Sequence, residues 1–232
     1  MEWPRPVMTN RLLASLPTPT VERLLDSATT VPFRYRESAV AQSVDDTVFF
    51  PLSGLSCLVT VMEDGGMVEA AMVGREGMGG GSTLPTASRG LHRVTLVPGE
   101  AVQVPPETFR QLLHEDHRLL LLVARYQEML FRCSAQSAAC NRVHPATARL
   151  ARWLATACIR NGAADLQVTQ DFLASMLGVR RPTVTLAVGQ LEEQGVITCR
   201  RGSIEVLDRD ALLAQCCECF ELIEELQARL FD

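Results

Sequence analysis

Arg180 and Arg181 follow Gly178–Val179 and stand immediately before Pro182, with Thr183 and Thr185 close behind. Proline lacks an N–H and has a fixed φ, so a helix tolerates it only in its first turn. Pro182 therefore predicts a helix that starts near Arg180–Arg181. Guanidinium and hydroxyl groups on such a first turn can do a particular chemistry. One arginine can donate two parallel hydrogen bonds to O6 and N7 of guanine, worth about 1–3 kcal/mol of discrimination for a good pair. A threonine can bond a phosphate or touch a thymine methyl. The N–H groups at the helix start themselves favour a phosphate.

The surrounding stretch, Val168–Leu191, is built to present that turn. Thr169 can cap a helix running to Leu177, with Phe172, Leu173, Met176 and Leu177 as its apolar face. Gly178 supplies the positive φ of a sharp interhelical turn. The small Ala174 lets the second helix approach closely. Val179, Val184 and Leu191 then bury that helix against the first. Beyond Gly195, Val196–Cys199 and Ser203–Leu207 read as two strands around the basic tip Arg200–Arg201–Gly202. Helix, turn, helix and basic hairpin in this order spell a winged helix-turn-helix. The candidate DNA contacts are Thr169, Gln170, Arg180, Arg181, Thr183, Thr185, Arg200 and Arg201. The alternative is an αα-hairpin with a β-hairpin in a module that binds protein. Neutralising Arg180 and Arg181 separates the two.

Charge agrees with that placement. All 22 basic residues are arginine, against 27 acids, for a net charge of −5. Residues 141–208 hold 8 arginines against 6 acids and are the one positive segment; 1–140 and 209–232 are both negative. Without lysine, neither a Walker-type phosphate loop nor a lysine Schiff base can form. Apolar residues make up 47% of the chain, so a packed core is expected and not disorder. No apolar run approaches a membrane span and no leader-like segment opens the chain, which predicts a cytoplasmic protein.

The remaining segments must carry the reader. Residues 10–26 read as short helical pieces. From Val31 to Pro105, short strand-like segments alternate with turn signals, as in an antiparallel β-roll of jelly-roll type. Asp116 to Asn141 contains neither proline nor glycine, which predicts one long helix. Leu119, Leu122, Tyr126, Met129 and Cys133 recur in it at spacings of three and four, a seam for pairing with a second copy. Val143–His144–Pro145 breaks the pattern, and Pro145 can open the next helix, ended at Asn161–Gly162. The expected class is α+β: a sensor domain over 1–115, a dimerisation helix over 116–141, and a winged helix-turn-helix domain with a C-terminal helix over 142–232.

With these motifs in hand, residues 10–210 resemble the Crp/Fnr family of bacterial transcription regulators. The resemblance rests on FFPLSGLSCLVTVMEDGGMVEAAMVGREGMGG and on LASMLGVRRPTVTLAVGQLEEQGVI. It implies a cyclic-nucleotide-binding-like roll and a homodimer that binds double-stranded palindromic DNA and meets RNA polymerase. By position, Arg181 resembles the base-reading arginine of the catabolite-activator branch, Arg180 a phosphate contact and Thr183 a helix-start contact. Pro182 stands where many members carry a base-reading glutamate, and Leu186 replaces a polar reader. The Gly-Glu and Arg-Ser pairs that hold a cyclic nucleotide are missing. Gly77–Gly81 occupies the place of the first and Leu91–His92 that of the second, leaving Arg89 or Arg93 as anion ligands. Cyclic AMP binding is therefore not expected.

The eight cysteines are expected to be free thiols. Cys216, Cys217 and Cys219 read as one face of an amphipathic helix over 209–230. Cys133 and Cys140, one heptad apart, read as reduced core thiols. His114 and His117 read as a solvated face. No metal and no cofactor are expected, and no catalytic residue. The alternatives are a thiol- or iron–sulfur-based redox-sensing regulator, and a cupin-like metal enzyme. The cupin reading is opposed by His92 being the sole histidine between 31 and 105.

Overall fold

The computed structural model describes residues 9–34, 47–80 and 91–231. Two short helices, α1 (Arg11–Ala14) and α2 (Thr18–Leu25), precede six strands: β1 (Thr29–Phe33), β2 (Val48–Pro51), β3 (Leu55–Val61), β4 (Met67–Val73), β5 (Leu91–Val97) and β6 (Gly99–Val104). These form two three-stranded sheets in the orders β1-β6-β2 and β4-β3-β5. The strand pairs β1–β6 and β2–β6 are antiparallel, with Phe33 opposite Gly99 and Phe50 opposite Val102. This is the roll expected from the alternation of strands and turns. Strand β1 is an addition, because its polar Thr29–Thr30 start and Pro32 hide it in the sequence.

Asn10 anchors the first helix to the roll. It is fully buried, accepts from the Leu13 N–H, and donates to the carbonyls of Pro51 and Gly77 at 3.0 and 2.9 Å. Both amide hydrogens and the amide oxygen thus have partners, as burial requires. Phe33, Phe49 and Ala101 form a core cluster in the roll. The Arg93 guanidinium lies 4.6 Å from the Phe33 ring centroid and 4.7 Å from that of Phe49. Arg89 and Gly81 fall outside the described residues.

Gly77 and Gly79 have a packing reason to be glycine. A Cβ on Gly79 would stand 2.1 Å from Phe49 Cζ, and one on Gly77 would stand 2.4 Å from Tyr126 Oη. The Tyr126 hydroxyl donates to the Met78 carbonyl at 2.8 Å.

Helix α3 (Pro106–Glu115) leads into α4 (His117–Val143), 27 residues and about 40 Å long at 1.5 Å per residue. Then come α5 (Ala146–Asn161), β7 (Asp165–Leu166), α6 (Gln170–Leu177), α7 (Arg181–Glu193), β8 (Ile197–Arg200), β9 (Ser203–Val206), α8 (Arg209–Ala214) and α9 (Cys219–Ala228). A third sheet has the order β7-β9-β8. The chain divides into two compact units, Met1–Val59 with Met72–Met129, and Thr60–Ala71 with Leu130–Asp232. The division runs through α4, between Met129 and Leu130. The first half of α4 buries Leu119, Val123 and Tyr126 in one unit, and the second half buries Cys133 and Cys140 in the other.

Two features of the helices differ from expectation. Of the seam residues, Leu119, Tyr126, Met129 and Cys133 are buried within the chain itself, and Leu122 is half-buried. A periodic apolar stripe marks a buried face without saying what buries it, and here one chain does so unaided. The large apolar side chains that α4 leaves exposed before its last residue are Leu120, Leu121 and Phe131. Second, the single helix expected over 209–230 is broken. The chain leaves α8 after Ala214 and re-enters a helix at Cys219. Cys217 and Cys219 pack against Cys140 of α4.

Candidate nucleic-acid interface

Thr169 caps α6, its hydroxyl accepting from the Phe172 N–H at 3.2 Å. Leu173, Ala174, Met176 and Leu177 are buried. Gly178 ends the helix at φ +61°, a conformation that an L side chain adopts only under strain. The Val179 N–H then reaches back to the Ala174 carbonyl at 3.0 Å and closes the turn. Below α6, Trp153 of α5 is buried edge-on to Phe172, with ring centroids 6.3 Å apart.

Helix α7 starts at Arg181 with Arg180 as its cap and Pro182 in its first turn. Val184, Ala187, Val188 and Leu191 are buried, so the opposite face is fixed outward. That face presents Arg180, Arg181, Thr185 and Leu186, all exposed, with Thr183 half-buried beside them. Leu186 is 71% exposed. A Cβ on Gly189, one turn further on, would meet nothing within 4 Å.

The polar groups of the face are only loosely held. Arg181 Nε lies 3.4 Å from Asp171 Oδ1, both side chains about two-thirds exposed. Exposed pairs of this kind are worth roughly 0–1 kcal/mol, so a phosphate or a guanine edge can displace the carboxylate. The Thr185 hydroxyl donates to Gln170 Oε1 at 2.8 Å, which joins the starts of the two helices.

The hairpin stands beside α7. Strands β8 and β9 pair antiparallel with Arg200 opposite Ser203, and Gly202 takes φ +85° at the tip. The Cys199 N–H donates to Glu192 Oε1 at 2.7 Å, tying the hairpin to the end of α7. Arg200 and Arg201 are exposed, and Arg200 makes a loose 3.5 Å contact with Glu205. All eight residues named from the sequence thus lie on α6, α7 or the hairpin of one unit.

A profile of the Crp-like helix-turn-helix domain matches residues 148–215. The C-terminal unit carries a Crp-like helix-turn-helix domain. The global nitrogen regulator of Nostoc sp. is 26% identical over 171 residues, covering 69% of this chain and 77% of that protein. A Crp/Fnr-family transcriptional regulator from Eubacterium rectale has a similar fold, with a TM-score of 0.69 at 14% identity, covering 89% of this chain and 98% of that one. FixK2 from Bradyrhizobium japonicum gives 0.68 at 16% identity, covering 82% and 98%. The fold is that of the Crp/Fnr regulators.

The sequence conceals one residue of this Crp-like domain. Arg149 of α5 is only 6% exposed, and its guanidinium donates to the Leu177 carbonyl, the last of α6. That carbonyl has no partner within its own helix, and a cation at a helix C-terminus is favourable. Burial pulls the Arg149 pKa below the ordinary arginine value. It counts toward the segment's positive charge yet is enclosed, so it serves the turn and not the surface. Only the three-dimensional contact reveals this, since an arginine 28 residues upstream carries no local signal.

Proposed function

We propose that the protein is a sequence-specific, DNA-binding transcription regulator that acts as a homodimer. The observation that carries this is the exposed first turn of α7, where Arg180 and Arg181 project from a helix whose other face is locked in the core. Arg181 reads base edges in the major groove and Arg180 binds phosphate. Thr169, Gln170, Thr183 and Thr185 contact the backbone and groove wall around them. Arg200 and Arg201 reach the flanking phosphates. Leu186 offers an apolar contact to a thymine methyl.

Pairing uses the exposed face of α4 in place of the seam expected from the sequence. Leu121, Ala124, Glu128, Phe131, Ala135 and Ala138 recur at spacings of three and four, and all six are exposed. The alanines allow close helix approach, and Phe131, 73% exposed, is the anchor. Two chains so joined present their α7 helices to half-sites about one turn of DNA, roughly 34 Å, apart on a palindrome. RNA polymerase is the partner the bound dimer recruits or blocks. The packing of Gly77 and Gly79 against Tyr126 and Phe49, and the stacking of Arg93, support a roll that does not take cyclic AMP.

Sedimentation and DNA titration of two variants test this. Phe131→Glu is expected to be monomeric and to lose palindrome affinity while keeping its fold. Arg180→Ala/Arg181→Ala is expected to stay dimeric and lose DNA. A dimeric Phe131→Glu protein contradicts the pairing face, and undiminished DNA affinity in the double variant contradicts the reading helix.

A further inference from the structure

Four side chains from two distant stretches converge at the end of α4. Cys140 lies in its last turn, and His144 follows at i+4, on the same face. The His144 N–H still bonds the Cys140 carbonyl at 3.1 Å. Cys217 comes from the break between α8 and α9, and Cys219 opens α9. The three Sγ atoms and a ring nitrogen of His144 all lie within 4.8 Å of one another. Cys140 Sγ is 3.5 Å from Cys217 Sγ, and Cys219 Sγ is 3.6 Å from His144 Nδ1. Ligands at 2.0–2.3 Å from a tetrahedral zinc stand roughly 3.5–3.8 Å apart, so both spacings suit one ion. They are too long for a disulfide.

The surroundings have the form of a second coordination shell. His144 Nε2 is 3.1 Å from Glu218 Oε1. A proton on Nε2, shared with that carboxylate, leaves the Nδ1 lone pair facing the sulfurs, which is how metal-binding histidines are oriented. Gln136 Nε2 donates to Cys219 Sγ at 3.0 Å. Cys140, Cys217 and Cys219 are all buried. Arg152 and Arg149 lie within electrostatic reach of Cys140. Their charges suit a centre of three thiolates on a dication, which carries a net −1.

We propose that Cys140, His144, Cys217 and Cys219 bind one zinc ion as a Cys3His site. It clamps the α8–α9 break onto the last turn of α4. Three thiols release their protons to solvent as they ligate, and the neutral imidazole supplies the fourth bond. Sulfur and imidazole in a tetrahedral set select zinc over hard cations. An iron–sulfur cluster needs its protein ligands spread around a core of irons and sulfides. Ligand atoms this close enclose a single ion. A bound zinc would depart from the expectation of no metal, while the break after Ala214 already departs from thiols along one helix. The zinc site stands independently of the DNA-binding reading. Cys216 is outside the set, its thiol donating to the Leu212 carbonyl, and serves as a control.

The test is elemental analysis of the untagged protein, purified anaerobically without chelators and then incubated with zinc and desalted. About one zinc per chain is expected, retained in Cys216→Ser and lost in Cys217→Ser and His144→Ala. Glu218→Gln, which keeps all four ligands, is expected to bind zinc about 10–100-fold more weakly. If Cys217→Ser does not fold, cobalt(II) added to the metal-free parent protein decides: thiolate-to-cobalt charge-transfer bands with tetrahedral ligand-field absorption support the site. Their absence overturns it. So do a zinc content unchanged by both ligand substitutions, a parent protein that stays metal-free, or iron and acid-labile sulfide in place of zinc.

Discussion

The reading face of α7 and the enclosed parts of the two units use the same cation in opposite ways. On the reading face and hairpin, Arg180, Arg181, Arg200 and Arg201 are exposed, and the two carboxylate contacts they make are loose. In the interior, Arg149 is spent on the Leu177 carbonyl, and in the roll Arg93 lies over two phenylalanine rings. A guanidinium in water keeps its donors exchangeable and can trade a carboxylate for a phosphate or a base. One enclosed by protein has exchanged that freedom for a fixed partner, and its removal is felt as stability. Segment charge therefore overstates what the DNA meets, since Arg149 contributes to the count and not to the surface.

The contrast is sharpest at Arg149. Arg149→Met keeps most of the apolar stem and leaves the Leu177 carbonyl unbonded, which is expected to cost about 2–3 kcal/mol, read from denaturant unfolding. DNA affinity should fall with it, because the turn before α7 loosens. An unchanged midpoint would show that the enclosed guanidinium carries no structure.

Arg93→Met removes a cation from two ring faces and is expected to cost about 1 kcal/mol, with DNA affinity unaffected. Arg200→Ala and Arg201→Ala should leave stability within about 0.5 kcal/mol. Each is expected to lower affinity evenly across sequences and to reduce the salt slope by about one, measured by titration at several ionic strengths. A changed sequence preference would mean that the hairpin reads bases.

The smallest effect is expected at Arg23, whose exposed guanidinium pairs with Glu115. The Glu115 carboxyl is held below its ordinary value first by Gln111 and then by Arg23. A depressed folded pKa gives stability that is present above the unfolded value and lost as pH falls through the folded one. Arg23→Gln should thus cause only a small loss of stability above about pH 4.5, as exposed pairs contribute little, and the difference from the parent should disappear as pH falls below that value. A large neutral loss would show that exposed arginines here also carry structure.

The legible parts of the molecule were the local ones. Gly178, Pro182 and Gly202 each demand a backbone conformation, so the turn, the helix start and the hairpin tip could be placed from single residues. The eight candidate contact residues fall within one contiguous stretch and inherit that placement. The spacing on α4 did not say what covers the stripe, because a three-and-four repeat is common to a face buried by its own chain and a face buried by a copy. The Cys140–His144–Cys217–Cys219 cluster was invisible for another reason. Its halves are separated by more than 70 residues, and Gln215–Glu218 gives no proline or glycine to announce the break that brings them together. Arg149 was hidden in the same way, since burial of a charge is decided by the partner it finds.

The central claim is that the first turn of α7 reads sequence. Selection of bound duplexes from a random pool, at fixed near-physiological salt and under reducing conditions, tests it most directly, with Arg181→Ala run in parallel. An enriched palindrome with half-sites one helical turn apart is expected, with loss of preference at one symmetric position when Arg181 is removed. Binding that follows salt alone, with no enriched sequence and no effect of the substitution, would contradict it.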